Sequence, residues 1–458
     1  MTQLISTNPA KNYQPVGAIS ISTQKEIKEK VLLAKVAQSN WHKIGVKRRV
    51  GYLTNAMNLF KQNQGKVARL ITQEMGMAIT ASQDKIARDF NYWHWWLDNA
   101  EEATKDEVVF ENQNSIHRII YEPIGSAAAI VPWNLPFGMF SWGVIPNLLV
   151  GNTVIFKISE ECPLSGQLFE KIMKQSGLPE GVFSEIYGNG VVGEMLVNQD
   201  VDLIWFTGSS KVGKKLYEIA GKKFIKAVLE LGGSNPGIVF EDVDVDKIVD
   251  KLYSKRFGFC GQTCDALKRL LVQESIFDEV VEKLTKRVEK TVVGQPEEEK
   301  TDMGPLVAKR QLDLLKDQVA DAVKKGAKVI TGGKEPSGLK GAYYLPTILT
   351  NIKDNMRVWQ EEVFGPVLAI RKFKTEEEAI KLANDSVYGL GALVFTENKE
   401  RAQGVARALQ TGTVEINSAS HWLPCNPFGG YKQSGMGREH GINGLRELCQ
   451  IKVISEEK

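Results

Sequence analysis

Three short segments hold residue types that could make and break covalent bonds. Gly261-Gln262-Thr263-Cys264 puts a thiol on a glycine-flanked turn, where it is presented without steric cover, as a nucleophile needs. The competing reading is a buried small hydrophobe, the common fate of a lone cysteine. A nucleophilic thiol also requires a base and an oxyanion donor. The histidines are scattered and none sits in a motif, so the base would be a carboxylate. Glu230 ends an apolar run and precedes Gly232-Gly233. Burial there would raise its pKa, whereas a glutamate at a strand end can equally be solvated. Pro132-Trp133-Asn134 follows the run SAAAIV, at the carboxyl end of a strand, where ligands sit in open α/β sheets. The Asn134 amide could donate to a developing oxyanion, or it could simply turn the chain after a tryptophan anchor.

A fourth segment could bind phosphate. Gly208-Ser209-Ser210-Lys211-Val212-Gly213-Lys214-Lys215 follows an apolar run and opens a helical one. Backbone N–H groups at a helix start suit an anion. The run nearly matches the P-loop pattern, but Lys215 stands where the Mg²⁺-binding Ser/Thr belongs, which argues against a P-loop NTPase. It also lacks the GxGxxG spacing. A dinucleotide site of unusual form and a plain strand–helix turn both remain open. No metal site is expected, because Cys260 and Cys264 have no second cysteine pair and no nearby histidines. The cysteines, Cys162, Cys260, Cys264, Cys425 and Cys449, are odd in number and read as reduced thiols rather than a disulfide framework.

The elements that must hold these segments follow from periodicity. Residues 1–20 read as irregular, with Pro9 and Pro15. From about residue 23 to 99 apolar residues recur at helical spacing. Within that stretch, Tyr92-Trp93-His94-Trp95-Trp96 is read as core packing, with an aromatic wall on a substrate pocket as the alternative. Residues 112–122 mix polar and β-branched types and read as a two-sided strand arm that would pair with another subunit. From 126 onward short apolar strands alternate with helices, twice over, and the last residues end in an apolar alternation. This predicts an α/β chain of two tandem doubly wound domains built on parallel sheets.

Composition closes off other classes. The 458 residues carry a net charge of +3, with 43% hydrophobic and 25% charged residues. That gives no electrostatic footprint for nucleic acid and no disorder signature. The apolar stretch from Trp142 to Phe156 is broken by Pro146, Asn147 and Asn152, so no membrane span is expected. The polar start has no signal-peptide h-region, and a cytoplasmic location is expected.

Taken together, VPWN (131–134), FKISE (156–160), FTGSSKVG (206–213), LELGGSNP (229–236), GQTC (261–264), EEVFGPV (361–367) and PFGGYKQSGMGRE (427–439) resemble the aldehyde dehydrogenase superfamily in order and spacing. The short N-terminal stretch resembles the short bacterial branch that includes some succinate-semialdehyde dehydrogenases. The resemblance implies a Rossmann-like cofactor domain (1–112 and 126–230), a catalytic domain (231–425) and a small β oligomerisation arm (113–125 and 440–458) of a homodimer or homotetramer. It implies that Cys264 attacks the aldehyde, that Asn134 and the Cys264 N–H form the oxyanion hole, and that Glu230 activates water against the thioester. Lys157 and Glu160 would hold the adenosine ribose, and Ser209 and Val212 the pyrophosphate and adenine side. Glu362 would hold the nicotinamide ribose, with Phe364 against the ring. Pro132, Trp133, Ser159, Gly190, Phe206, Gly208, Leu231 and Gly232 complete the implied cofactor site. Lys268 and Arg269 would continue a helix after the cysteine. Glu160 favours NAD, with NADP as the alternative.

The chain also departs from the family pattern. Phe259 stands where many members have Asn, and Trp142 and Gly258 stand where relatives that bind succinate semialdehyde often carry Arg. The expected tunnel is therefore aromatic, lined by Phe137, Trp142, Trp96, Phe259 and Trp422, and takes an apolar or aromatic aldehyde. Succinate semialdehyde is the alternative. A CoA-acylating enzyme or a catalytically silent member of the fold would share most of the pattern, but Glu230 disfavours both.

Overall fold

The computed structural model describes residues 2–417 and 419–458. Two α/β units follow each other, as the alternating pattern predicts. The first sheet has the order Gly435–Met436, Lys226–Glu230, Leu203–Thr207, Ser126–Ile130, Thr153–Lys157, Phe183–Glu185. Its last five strands run parallel and are almost wholly buried, which is why they read as continuous apolar runs rather than alternations. Ser126–Ile130 comes first in the chain, and the strands that follow it build outward on both sides. The order therefore reverses beside it, between its carboxyl end and that of Leu203–Thr207. That switch point is where a doubly wound sheet leaves a crevice.

The helix Pro136–Val150 lies against this sheet with every residue buried. Pro136 fits its first turn, where no N–H partner is lost, and Gly151 ends it at φ 106°. Gly143 has a packing reason, since a Cβ there would stand 2.7 Å from the Trp205 ring. Ile79–Thr104 crosses over this helix. Trp93, Trp96 and Phe137 are fully buried there in the large aromatic core, which agrees with the packing reading of the WHWW run for those residues.

The second sheet has the order Lys328–Thr331, Thr347–Thr350, Val367–Phe373, Leu267–Gln273, Asn235–Val239, Gly391–Phe395, Thr413–Ile416. Leu267–Gln273 is a central parallel strand, as the apolar run LKRLLVQE in the second alternating series predicts, and not the helix that the resemblance implies after the cysteine. LKRLLVQ is apolar on both faces and covered on both, a pattern a surface helix does not have. Residues 1–20 also differ from expectation. Gln3–Asn8 and Gln14–Ser20 pair antiparallel, and the turn between them places Asn12 and Tyr13 at positive φ. The prolines sit in that turn and at the edge of the pairing, where no ladder bond is lost.

The arm is a three-stranded sheet, Cys449–Glu457, Ser115–Pro123 and Glu107–Glu111. It takes in Glu107–Glu111 beyond the expected range. Residues Gly441–Glu447, expected in the arm, form a helix on the first unit. The segment before that helix returns to the first sheet, where Gly435 pairs with Glu230.

Candidate active site

Two clefts meet at the cysteine. The first, of about 230 Å³, lies at the switch point of the first sheet. Pro132, Trp133 and Asn134 line it from the end of one strand, and Thr207, Gly208 and Ser209 from the end of the other. Leu231, Gly232, Glu362 and Phe364 face it as well, and so does Cys264. The second cleft, of about 430 Å³, opens between Ile79–Thr104, the turn at 258–265 and the loop at 420–424. Thr263 and Asp265 line this second cleft while Cys264, between them, lines the first. The segment 263–265 is thus the partition between the two spaces, with Cys264 on the side of the first.

The turn that presents the thiol is strained. Phe259 and Cys260 lie at φ 52° and 58°, and Gly261 at 66°. Consecutive left-handed residues that are not glycine are costly and persist only where surroundings fix them. Arg256, fully buried, supplies that fixation by donating to the carbonyls of Val363 and Gly365. A Cβ at Gly261 would meet the Gly365 carbonyl at 2.4 Å. Arg256 therefore points away from the second cleft and cannot anchor a substrate. Cys260 is buried in the core of the second unit, where burial pushes its thiol up to about 12.

Lys268 was expected only as part of a helix, and it proves to hold the cysteine's main chain. Its fully buried Nζ donates to the carbonyls of Cys264 and Gly233, both at 2.7 Å, and to Glu362 Oε1 at 2.9 Å. Asn235 Nδ2 donates to the same Cys264 carbonyl at 2.8 Å. Two donors on one carbonyl fix the peptide that joins Cys264 to Asp265, and so hold the main chain on the carboxyl side of the thiol. Asn134 Nδ2 donates to the Gln262 carbonyl at 3.0 Å. An amide nitrogen carries two hydrogens, so this bond fixes the side chain and leaves the second hydrogen for an oxyanion beside Cys264. Burial, and then Asp265, holds the Cys264 thiol well above its ordinary value, with Lys268 opposing.

Glu230 ends its strand buried, and neither carboxyl oxygen has a hydrogen-bond partner. Burial, followed by the carboxyl of Glu439, raises its pKa far above the usual carboxylate range. The wrap of residues 427–439 causes this. Leu231 N donates to the Ser434 carbonyl at 2.9 Å, and the Ser434 hydroxyl donates to the Gly232 carbonyl at 2.6 Å. A carboxyl kept dry with free lone pairs is suited to take a proton from a water admitted late.

The residues of the first cleft fit a nicotinamide dinucleotide. Ser209 caps the helix Ser210–Lys223 and leaves N–H groups at the crevice. Gly208 is required because the Phe206 ring lies 2.4 Å from where a Cβ would be. At Gly232 a Cβ would stand 2.4 Å from Glu362 Oε2. Thr207 Oγ1 is buried without a partner. Phe364 meets Trp133 edge-on at 5.5 Å. Lys157, Ser159, Glu160, Gly190, Phe206 and Val212 do not line this cleft. Lys157 ends the strand next to Ser126–Ile130, and Glu160 follows it in the adjoining loop. Gly190 and Val212 lie in the first turns of helices that follow the sheet's strands. Burial lowers Lys157 to about 8.

The second cleft corrects the expected tunnel. Phe259 and Trp422 line it, but Phe137 and Trp96 belong to the core behind it. Trp142 is also buried, stacked on Trp422 at 5.6 Å. Tyr92 forms part of the wall, as the pocket-wall reading of the aromatic run allowed. The cleft is not purely aromatic, because Lys85, Arg88 and Lys255 line it too. Positions 85, 88 and 92 share a helix face at i, i+3 and i+7 spacing. That spacing is the signal the sequence carried for them.

Comparison with known proteins gives the family. The aldehyde dehydrogenase family model matches residues 2–454, and the chain belongs to that family. It is 37% identical to the betaine aldehyde dehydrogenase of Bacillus subtilis (strain 168) over 97% of this chain and 92% of that one. It is 38% identical to an aldehyde dehydrogenase of Davidiella tassiana, over 95% and 88% of the two chains. Among solved structures, an E. coli NADP-dependent enzyme superposes with a TM-score of 0.96 at 32% identity, covering 100% of this chain and 95% of that one. A Staphylococcus aureus betaine aldehyde dehydrogenase in complex with NAD+ gives 0.94 at 33% identity, over 99% and 91%.

Proposed function

We infer that the protein oxidises an aldehyde to the carboxylic acid through a thioester on Cys264, with a nicotinamide dinucleotide in the first cleft. The observation that carries this reading is the partition, where Cys264 faces the dinucleotide crevice and its chain neighbours Thr263 and Asp265 face the side-chain-lined cleft. A nicotinamide bound in the crevice supplies the hydride acceptor. Cys264 gives its proton to solvent water and adds to the aldehyde carbon, and Asn134 and the Cys264 N–H receive the oxyanion. Loss of hydride from that carbon leaves the thioester. Glu230 then takes a proton from water as the water attacks the thioester carbon, and the thiol leaves. The buried, unpaired Glu230 supports hydrolysis over transfer to CoA.

The preferred cofactor in this reading is NAD+. Glu160, after the strand Thr153–Lys157, would repel a 2′-phosphate on the adenosine ribose. The substrate body is apolar or aromatic, packed on Tyr92, Phe259 and Trp422. The five cysteines are free, which supports a reducing, cytoplasmic compartment. A panel of aldehydes with NAD+ and with NADP+, followed by absorbance of the reduced cofactor, tests the reading. Oxidation with higher kcat/KM for NAD+ is expected, and equal or better values with NADP+ would remove the role given to Glu160.

A homo-oligomer is the second part of the proposal. The arm exposes Val108, Phe110, Ile451 and Val453, a patch a monomer would not leave open. Light scattering should give a mass of two or four chains. A mass of one chain would refute it.

A further inference from the structure

We propose that the second cleft selects aldehydes that carry a carboxylate at the far end of the molecule, and that Arg88 grips that carboxylate. This rests on Cys264 being the aldehyde-oxidising nucleophile. The charges that line the cleft are three cations, Lys85, Arg88 and Lys255, against one carboxylate, Asp265. Most of these are already committed. Lys85 is bonded to the buried Asp89. Lys255 pairs with Glu415 at 2.7 Å, and the same carboxylate takes Lys251 at 3.1 Å and His421 at 2.7 Å. Asp265 Oδ2 accepts from Trp422 Nε1 at 2.9 Å.

Arg88 is different. Among the described residues it makes no ion pair, and its one hydrogen bond is a long 3.4 Å contact from Nε to the Asp84 carbonyl. Its terminal nitrogens stand free at the mouth of the cleft. A guanidinium presents a planar fork that matches a carboxylate in two parallel bonds. Lys85 adds a second positive charge on the same helix face, its Nζ 4.7 Å from the centre of the Trp142 ring. A cationic tail would be repelled there, and an apolar tail would leave the fork unused.

The wall beyond Arg88 also bears on the shape of the substrate. Arg88 stands four residues from Tyr92, about 6 Å along the helix at 1.5 Å per residue. Between the fork and the partition the wall is Tyr92, Phe259 and Trp422, which cover carbon rather than charge. A linear aldehyde-acid of about six carbons, or a benzaldehyde with a carboxylate opposite the aldehyde, has its two polar ends separated by carbon, which suits a wall of this kind.

The test uses the full-length enzyme and matched pairs, hexanal against 6-oxohexanoate and benzaldehyde against 4-carboxybenzaldehyde. The charged member of each pair should have the higher kcat/KM by about tenfold, the scale of one charge-assisted bidentate contact. Arg88→Gln should raise KM for the charged members about tenfold with kcat nearly constant, and should affect the uncharged members far less. Arg88→Lys should restore part of the loss. Preference for the uncharged members, or an equal loss on both, would overturn the proposal. If no aldehyde of either pair is oxidised, the parent reading has failed instead. Protection of Cys264 from iodoacetamide by adipate, the product of 6-oxohexanoate, then decides the binding claim alone. Protection that weakens in Arg88→Gln supports it, and absence of protection overturns it.

Discussion

The two clefts on either side of Cys264 are built by different means. The first is shaped by main chain. Its walls are the ends of two neighbouring parallel strands, and its room comes from Gly208 and Gly232, where a Cβ would collide with Phe206 or Glu362. The second is shaped by side chains from separated segments, near 85–92, 254–265 and 420–424, with Leu135. A dinucleotide is the same molecule in every turnover, so a site made of backbone can be fixed. A substrate differs between enzymes, and side chains on helix and loop can change without disturbing a sheet.

The largest effect should come from the partition that both clefts share. Cys264→Ala is expected to abolish aldehyde oxidation while dinucleotide binding, followed by fluorescence, is retained. Loss of a covalent nucleophile costs several kcal/mol of barrier, so a residual rate above about 1% would show that the clefts do not meet at this thiol.

Next comes the base. Glu230→Gln should keep hydride transfer and slow hydrolysis by about a hundredfold, the low end for a general base. The sign is a burst of about one reduced cofactor per site and then a slow phase. Because the Glu230 pKa is raised, its carboxylate fills only as pH climbs through that raised value. Thioester hydrolysis in the unaltered enzyme should therefore increase with pH well above the usual carboxylate range, and the variant should lose that dependence. Equal loss of burst and steady rate would remove Glu230 from deacylation.

The smallest effect sharpens the contrast itself. Gly232→Ala places a methyl where Glu362 Oε2 now lies, 2.4 Å away. The carboxylate must give up its bonds to Gly233 N and Lys268, both charge-assisted. The KM for the dinucleotide should rise about tenfold, with the ratio of charged to uncharged aldehyde rates unchanged. A shift in that ratio would mean that the two clefts are not independent.

The same contrast explains what could be read from the sequence. The first cleft depends on short runs, such as Pro132-Trp133-Asn134 and Gly208-Ser209, each at the end of an apolar strand whose neighbours follow from the βα alternation. Spacing along the chain was enough to find them. Lys85 and Arg88 escaped because they are charged residues on a long helix, ordinary there until the docking of that helix turns the 85, 88, 92 face toward residue 259. Phe137 and Trp96 failed in the opposite sense. They are aromatic and near the right segments, but sequence does not say which side of an all-buried helix faces the core. Lys268 was missed because nothing in the run LKRLLVQ says which carbonyls its amine meets once the strand Leu267–Gln273 carries it inside.

The partition has a kinetic consequence. With the dinucleotide in the first cleft and the aldehyde in the second, as proposed, the two products need not pass each other on the way out. The acid can then depart through its own opening while the reduced dinucleotide is still held. Either product can then set the pace of turnover, according to which is gripped harder, and a tight grip on the tail of one acid would slow that acid alone.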